Sequence, residues 1–108
     1  MLAYVIVDIS IHDPVEMAKY QKLTPDTLAE YGGKFVVRGG QVTPMEGGWN
    51  PERIVVLEFP SVERAQEWWN SDQYASAKAI RQRAAETSMI IVEGVKEEKS
   101  GWDLSVMN

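Results

Sequence analysis

The chain has no cysteine among its 108 residues and only one histidine. Without cysteine, the protein cannot have a disulfide framework, a thiolate nucleophile or a cysteine metal site. Neither a lone histidine nor two or three scattered carboxylates make a metal motif. The sequence therefore predicts no metal and no other cofactor.

Basic residues are the minority, and no hydrophobic run is long. Eleven lysines and arginines against sixteen aspartates and glutamates give a net charge of -5, which argues against nucleic acid or an anionic membrane as a partner. No apolar run approaches the roughly 20 residues that span a bilayer. The start, MLAYVIVDI, lacks a basic leading segment and a cleavage site. We expect a cytoplasmic protein whose partner is a small molecule or another protein.

The sequence contains four short apolar runs, each with a charged residue near one end. They are VIVDI, KFVVRGG, RIVVLEF and SMIIVEGV, and they predict strands over 3–9, 34–38, 53–59 and 89–95. Because side chains alternate between the faces of a strand, all four charges could lie on one side of a sheet. These charges, which mark a pocket or an interface, are Asp8, Arg38, Glu58 and Glu93.

Helix signals separate the strands. Asp13, Pro14 and Glu16 predict a capped helix that runs to residue 31, with a kink or restart at Pro25 and Thr24 as its local cap. A second helix from Ser61 to residue 69 and a third from 72 to about 86 follow. The third helix is predicted to carry Arg81 on its solvated face.

This order of elements predicts an α+β, ferredoxin-like split β-α-β fold over 1–95, followed by a tail over 96–108. The expected antiparallel sheet has its helices on one side and the first strand between the fourth and third. Taking the first and third strands as parallel neighbours puts Asp8 and Glu58 near one end, and Arg38, Arg53 and Glu93 near the other. The uncovered face would need a second subunit, since it would bear Tyr4, Ile6, Val36, Ile54, Val56, Met89 and Ile91.

Five segments of the sequence together resemble a known family. The segments are AYVIVDI, YGGKFVVRGG, IVVLEFPSVERAQEWW, SDQYASAKAIR and IIVEGV, and over roughly residues 3 to 95 they resemble the domain of unknown function 1330 family. That family is similar to the dimeric α/β-barrel superfamily, so the resemblance implies a homodimer paired through its sheets. Relatives there include cofactor-independent monooxygenases, muconolactone isomerases, haem-degrading enzymes and stress-responsive proteins without known catalysis. Because the superfamily includes such different activities, membership in it does not indicate one function.

Arg38 is the first candidate for a site residue. A guanidinium followed by Gly39 and Gly40 can bind a carboxylate bidentately, while the missing side chains leave room for a ligand. The alternative is a structural salt bridge to Glu93 or Glu58.

Asp8, Glu58 and His12 are the candidates for proton transfer. If the two carboxylates were adjacent and partly buried, repulsion would raise the proton affinity of one of them. They could equally accept hydrogen bonds from loop amides or from a positive group across a dimer. His12 could shuttle protons near neutral pH, although a lone loop histidine is more often exposed.

Aromatic residues are the candidates for a ligand-binding wall. Tyr20, Trp49, Trp69 and Tyr74 could line a pocket for a flat ligand, although most aromatics should be core. Trp68 and Trp69 cannot both be equally buried on one helix. The sequence is thus compatible with a metal-independent monooxygenase or isomerase acting on a small organic molecule, with a non-catalytic ligand-binding or stress-associated dimer, or with purely structural charges.

Overall fold

The computed structural model describes residues 1–96, which form four strands and three helices. Within this part of the chain, no helix is both long and apolar enough to cross a membrane. All of the predicted tail except Lys96 lies outside the described residues. The elements are β1 (Ala3–Ile11), α1 (Pro14–Ala29), β2 (Lys34–Arg38), β3 (Arg53–Phe59), α2 (Val62–Trp69), α3 (Asp72–Ala84) and β4 (Ala85–Glu93).

The four strands form one sheet in the predicted order, β2-β3-β1-β4, and every neighbouring pair is antiparallel. The prediction that the first and third strands are parallel is therefore wrong. The crossover through α1 makes β2 parallel to β1, and β3 then turns back beside β2. Asp8 consequently lies opposite Ile54, whereas Glu58 lies opposite Tyr4. The two carboxylates are four positions apart along the strands, roughly 13 Å.

The helices cover one face of the sheet, and alternate residues of β1 and β3 build the core against them. Val5 and Val7, both buried, lie opposite Ile91 and Met89 of β4. Met89 and Ile91 therefore belong to the helix side, and their predicted place on the uncovered face is wrong. The uncovered face, called the open face below, bears Tyr4, Ile6, Ile54, Val56, Ile90 and Val92.

A β-bulge decides on which side of the sheet Arg38 lies. Phe35 pairs with Leu57, but the register then shifts, so that Val37 pairs with Val56 and Arg38 with the buried Val55. The extra residue moves Arg38 to the helix side. Glu93 lies opposite Ala3 on that same side but at the other end of the sheet. The four charges thus do not share one side, since only Asp8 and Glu58 lie on the open face.

Helix α1 begins as predicted, with the Asp13 side chain accepting a hydrogen bond from the Glu16 amide at 3.1 Å. It continues through Pro25 without a restart. Thr24 is not a cap, because its hydroxyl donates to the Tyr20 carbonyl of the preceding turn at 2.7 Å. Pro25 has no amide hydrogen to donate to the carbonyl of Gln21, four residues earlier.

Helices α2 and α3 differ in how well the sequence predicted their buried faces. Trp68 is fully buried and Trp69 is 37% exposed, which confirms that the two tryptophans differ. Arg81 is only 3% exposed, so its predicted outward position is wrong. It follows Tyr74 by seven residues and Ala77 by four, and this spacing puts all three on the buried stripe of α3.

Candidate functional site

A narrow cleft lies between the helix side of the sheet and helix α1. Its water-accessible volume is about 30 Å³, which is room for roughly two water molecules. The lining is apolar and aromatic apart from a few polar groups and two arginines. It consists of Val7, Ile9, Met17, Tyr20, Gln21, Thr24, Phe35, Arg38, Arg53, Val55, Leu57, Trp68 and Met89.

Arg38 stands at the exposed mouth of the cleft. Its Nη2 donates to the Gln21 carbonyl oxygen at 3.1 Å, the carbonyl that Pro25 leaves without a helical donor. Its guanidinium carbon lies 4.1 Å from the centroid of the Phe35 ring. One hydrogen bond to a neutral carbonyl and one cation–π contact therefore hold the predicted ligand-binding arginine in place.

Arg53 is the second arginine of the cleft. It lies two positions before Val55, which pairs with Arg38, so both arginines extend from the same side of the sheet at the same end. Gly39, with a φ of +72°, lies directly against the Arg53 guanidinium, and a Cβ at that position would overlap it. Among residues 1–96, the Nε of Arg53 is buried and has no hydrogen-bond partner.

Neither arginine has a carboxylate partner within residues 1–96, where the ion pairs involve other basic side chains. Glu58 is paired with Lys34 at 3.2 Å on the open face, and Glu93 lies at the far end of the sheet. The alternative of a salt bridge between Arg38 and either glutamate is thus not realised. A chain of net charge -5 thus keeps together, in an aromatic cleft, two cations that have no carboxylate partner among residues 1–96.

Tyr20 connects the cleft to a buried polar cluster. Its hydroxyl lies 2.8 Å from that of Tyr74, which is fully buried and stacks against Trp68 with ring centroids 4.0 Å apart. Arg81 Nε donates to the Tyr74 oxygen at 3.3 Å, and Arg81 Nη1 donates to Thr87. Burial, and then the neighbouring Tyr20, raise the pKa of Tyr74 far above its ordinary value, so Tyr74 keeps its proton.

The predicted proton-transfer residues lie outside the cleft. Asp8 accepts a hydrogen bond from Trp49 Nε1 at 2.9 Å, and Trp49 itself is 64% exposed on the loop between β2 and β3. Glu58 is at the other end of the open face, so the close carboxylate pair does not form. His12 is exposed in the turn before α1. Within residues 1–96, no group of three or more acidic or histidine side chains could hold a metal.

Two further candidates for ligand binding also lie apart from the cleft. The Trp69 ring lies under Lys78 Nζ, 3.7 Å from its centroid, and lines a separate shallow groove with Arg81 and Thr87. Gly40 has open space where a side chain would be. Of the predicted site residues, the structure brings together Arg38, Gly39, Tyr20 and Tyr74.

Sequence reasoning placed Arg53 at the same end of the sheet as Arg38 but did not name it as a site residue, and it missed Gln21 and Phe35. Arg53 carried a usable signal, because it alternates in phase with the buried Val55 and Leu57. Gln21 gives no such signal, since its contribution is a main-chain oxygen that Pro25 leaves free. Phe35 is found only through its pairing with Leu57.

Comparisons with known proteins agree with this architecture. A family model described as "Domain of unknown function (DUF1330)" matches residues 2–95. A solved structure of a protein of unknown function from Rhodopseudomonas palustris, RPA0582, is 19% identical with a TM-score of 0.72, over 89% of this chain and 84% of that one. No curated protein matches the sequence of this chain.

Two solved structures with names that describe an activity are more distant. SnoaB, a cofactor-independent oxygenase from Streptomyces nogalater, is 10% identical with a TM-score of 0.57, over 91% of this chain and 96% of its own. A protein proposed to be an antibiotic biosynthesis monooxygenase, from Caulobacter crescentus CB15, is 16% identical with a TM-score of 0.54, over 88% and 91% of the two chains. At such low identities these similarities show the fold alone, which confirms the predicted α+β, ferredoxin-like fold.

Proposed function

Because this chain belongs to the DUF1330 family, whose description assigns no activity, we propose from its site that the cleft binds a small, flat organic anion. The observation that carries this proposal is the pair formed by Arg38 and Arg53, two cations in an aromatic cleft that have no carboxylate partner in the described part of the chain. Guanidinium groups bind carboxylate and enolate oxygens with strong, directional hydrogen bonds. Phe35 and Trp68 offer apolar surface to the flat part of the ligand.

Turnover of such an anion would be an oxygenation without cofactor or an isomerisation. In the first reaction the deprotonated substrate itself supplies the electrons that reduce oxygen, and in the second a proton moves by way of an enolate. Both reactions are favoured by cations that stabilise the substrate anion. The fold similarity to a cofactor-independent oxygenase supports this choice of chemistry. Asp8, Glu58 and His12 stay predictions for proton transfer, and Tyr20 is the titratable group that lines the cleft.

Binding without turnover is the second candidate function. It is favoured by the lining of the cleft, which includes no carboxylate and no histidine. Oxygen uptake in the presence of polyhydroxylated aromatic acids separates the two candidates, because saturable binding with neither uptake nor product indicates a binding protein. The cleft must widen in either case, since about 30 Å³ is too little for an aromatic ring. Arg38, exposed at the mouth, is the side chain whose movement would widen it.

Replacement of Arg38 by alanine tests the proposal directly. We expect the variant to bind benzoate roughly 10-fold more weakly than the unchanged protein, because one hydrogen bond to a charged group is lost. Lys34→Ala is the matched control, since it removes an exposed cation from the same strand but from the open face. Titration calorimetry measures both affinities. Equal losses of benzoate affinity in the two variants would mean that net charge alone explains the effect, and they would overturn the assignment of Arg38.

The open face supports a further part of the proposal, a homodimer paired through the two sheets. A second copy would cover the apolar face, which includes Ile90 at 58% exposure and Val92 at 41%. Ile90→Lys should weaken the dimer by roughly 10-fold, measured by sedimentation equilibrium, because a charge is then buried at the interface. Val15→Lys, an equally drastic change on the exposed surface of α1, should leave it intact.

Arg38→Ala should also leave the dimer unchanged. If this variant lost the dimer but still bound benzoate, the result would favour a purely structural role of Arg38 over a role in ligand binding. A monomer at every concentration of the unchanged protein would contradict the proposed pairing. A cytoplasmic location stays a prediction.

A further inference from the structure

Three hydrogen-bonding side chains extend in a row from the interior to the cleft. Arg81 donates from Nε to the Tyr74 oxygen, and the Tyr74 hydroxyl meets that of Tyr20. Arg81 and Tyr74 are 3% and 0% exposed, whereas Tyr20 is half-buried and lines the cleft. We call these residues the Arg81–Tyr74–Tyr20 chain.

The direction of the hydrogen bonds in this chain follows from chemistry. A guanidinium has five donors and no acceptor, so the Tyr74 oxygen must accept from Arg81. Tyr74 keeps its own hydrogen because burial disfavours its charged form. That hydrogen needs an acceptor in the interior, and within residues 1–96 the Tyr20 oxygen is the partner it has. Tyr74 therefore donates and Tyr20 accepts.

This direction leaves the hydroxyl hydrogen of Tyr20 without an acceptor among the described residues. We propose that Tyr20 donates it into the cleft, where it binds the anionic oxygen of the ligand, with Arg81 as a positioning residue that acts through Tyr74. The inference rests on the proposed function and specifies the ligand further, as an anion with a localised oxygen charge, such as a carboxylate or an enolate. Such an oxygen would lie between the Tyr20 hydroxyl and the two arginines of the cleft.

The buried charge of Arg81 explains why the chain would favour an anion. Arginine is rarely so deeply buried without a carboxylate, and in the part of the chain that the structure describes, its side-chain acceptors are the neutral oxygens of Tyr74 and Thr87. A positive charge at the start of a row of hydroxyls polarises each of them, which strengthens the hydrogen bond that the last one donates. Tyr20 is the last hydroxyl of this row.

Neutron diffraction from crystals of the ligand-free protein in deuterium oxide tests the direction without any ligand. The expected result is a deuterium on Tyr74 that points to the Tyr20 oxygen, and a deuterium on Tyr20 that points into the cleft. A deuterium on Tyr20 that points to Tyr74 would overturn the inference. This measurement decides the direction even if the protein binds no aromatic anion.

Binding of benzoate tests the consequence of that direction for recognition. Tyr20→Phe should weaken benzoate roughly 10-fold and leave the affinity for toluene, which accepts no hydrogen bond, unchanged. Arg81→Met should weaken benzoate as well, because the Tyr74 oxygen is then free to accept from Tyr20, and Arg81→Lys should restore most of the loss. An equal loss for both probes in Tyr20→Phe would mean that the hydroxyl is not the binding group.

The two proposals fail in different ways. If the unchanged protein does not bind benzoate but the deuterium of Tyr20 points into the cleft, the anion-binding function is wrong while the direction of the chain stands. If benzoate binds, depends on Arg38 and is unaffected by Tyr20→Phe, the function stands and the role of Tyr20 is wrong.

Discussion

Replacing Trp68 by alanine is expected to lower the free energy of unfolding by about 3–5 kcal/mol, which is a large part of the roughly 5–15 kcal/mol that typically stabilises a domain. Trp68 is fully buried. Its ring lies 4.0 Å from that of Tyr74 and 5.5 Å from that of Phe59, measured between centroids. The substitution leaves a cavity at the centre of the core and removes one wall of the cleft.

Part of this loss of stability should come from a broken hydrogen bond. Trp68 Nε1 donates to the Thr27 hydroxyl at 3.0 Å, and that hydroxyl in turn donates to the Thr24 carbonyl inside α1. Removing the indole leaves the buried Thr27 oxygen without this donor, which adds to the cost of the cavity. The substitution thereby removes the hydrogen bond that Trp68 of α2 donates to α1.

Its neighbour in sequence, Trp69, provides the matched control. Trp69→Ala removes the same atoms from the next position of α2, but from a side chain that is 37% exposed and contacts Lys78. We expect a loss of about 1 kcal/mol or less. Urea unfolding followed by circular dichroism measures both variants. Similar losses in the two variants would contradict the central place of Trp68 in the core.

Replacing Gly39 by alanine is expected to have the second largest effect, and to act on stability and binding together. With a φ of +72°, any other residue here is strained by about 1–2 kcal/mol. The added Cβ also overlaps the Arg53 guanidinium, which must move; because this group is the end of a flexible side chain, its displacement changes the cleft more than it lowers stability. Displacement of Arg53 should weaken benzoate binding roughly 10-fold.

Gly47 separates the two contributions. It has a φ of +79°, and nothing lies within 4 Å of where its Cβ would be. Gly47→Ala should therefore show the backbone strain without the collision, and benzoate binding should be unchanged. Urea unfolding and titration calorimetry on both variants give the comparison. Equal behaviour in both measurements would mean that Gly39 does not determine the position of Arg53.

The sequence predicted those features that depend on neighbouring residues. The caps at Asp13 and Ser61 are confirmed because a capping side chain acts on an amide three residues away. The strands over 34–38 and 53–59 begin and end where predicted, since each apolar run stops at a turn or helix signal. The order of elements then restricted the fold to a small set.

Features that depend on pairing were predicted less well. The face occupied by Arg38 is set by a bulge that appears only when β2 meets β3. In β4, residues on both faces of the strand are apolar, so the sequence cannot tell whether Met89 or Ile90 lies on the helix side. The pairing of β4 with β1 decides this. The cleft itself draws residues from four strands and two helices, and no local pattern contains it.

The proline of α1 has a consequence for selectivity at the mouth of the cleft. Pro25 leaves the Gln21 carbonyl without a main-chain donor, and Arg38 occupies that vacancy. A ligand whose entry moves Arg38 away from α1 must replace this hydrogen bond. A neutral acceptor forms a hydrogen bond similar to the one that is lost, whereas an anion adds a charge–charge attraction to it. The amide hydrogen that α1 lacks at Pro25 thus makes the mouth of the cleft selective for anions over uncharged molecules.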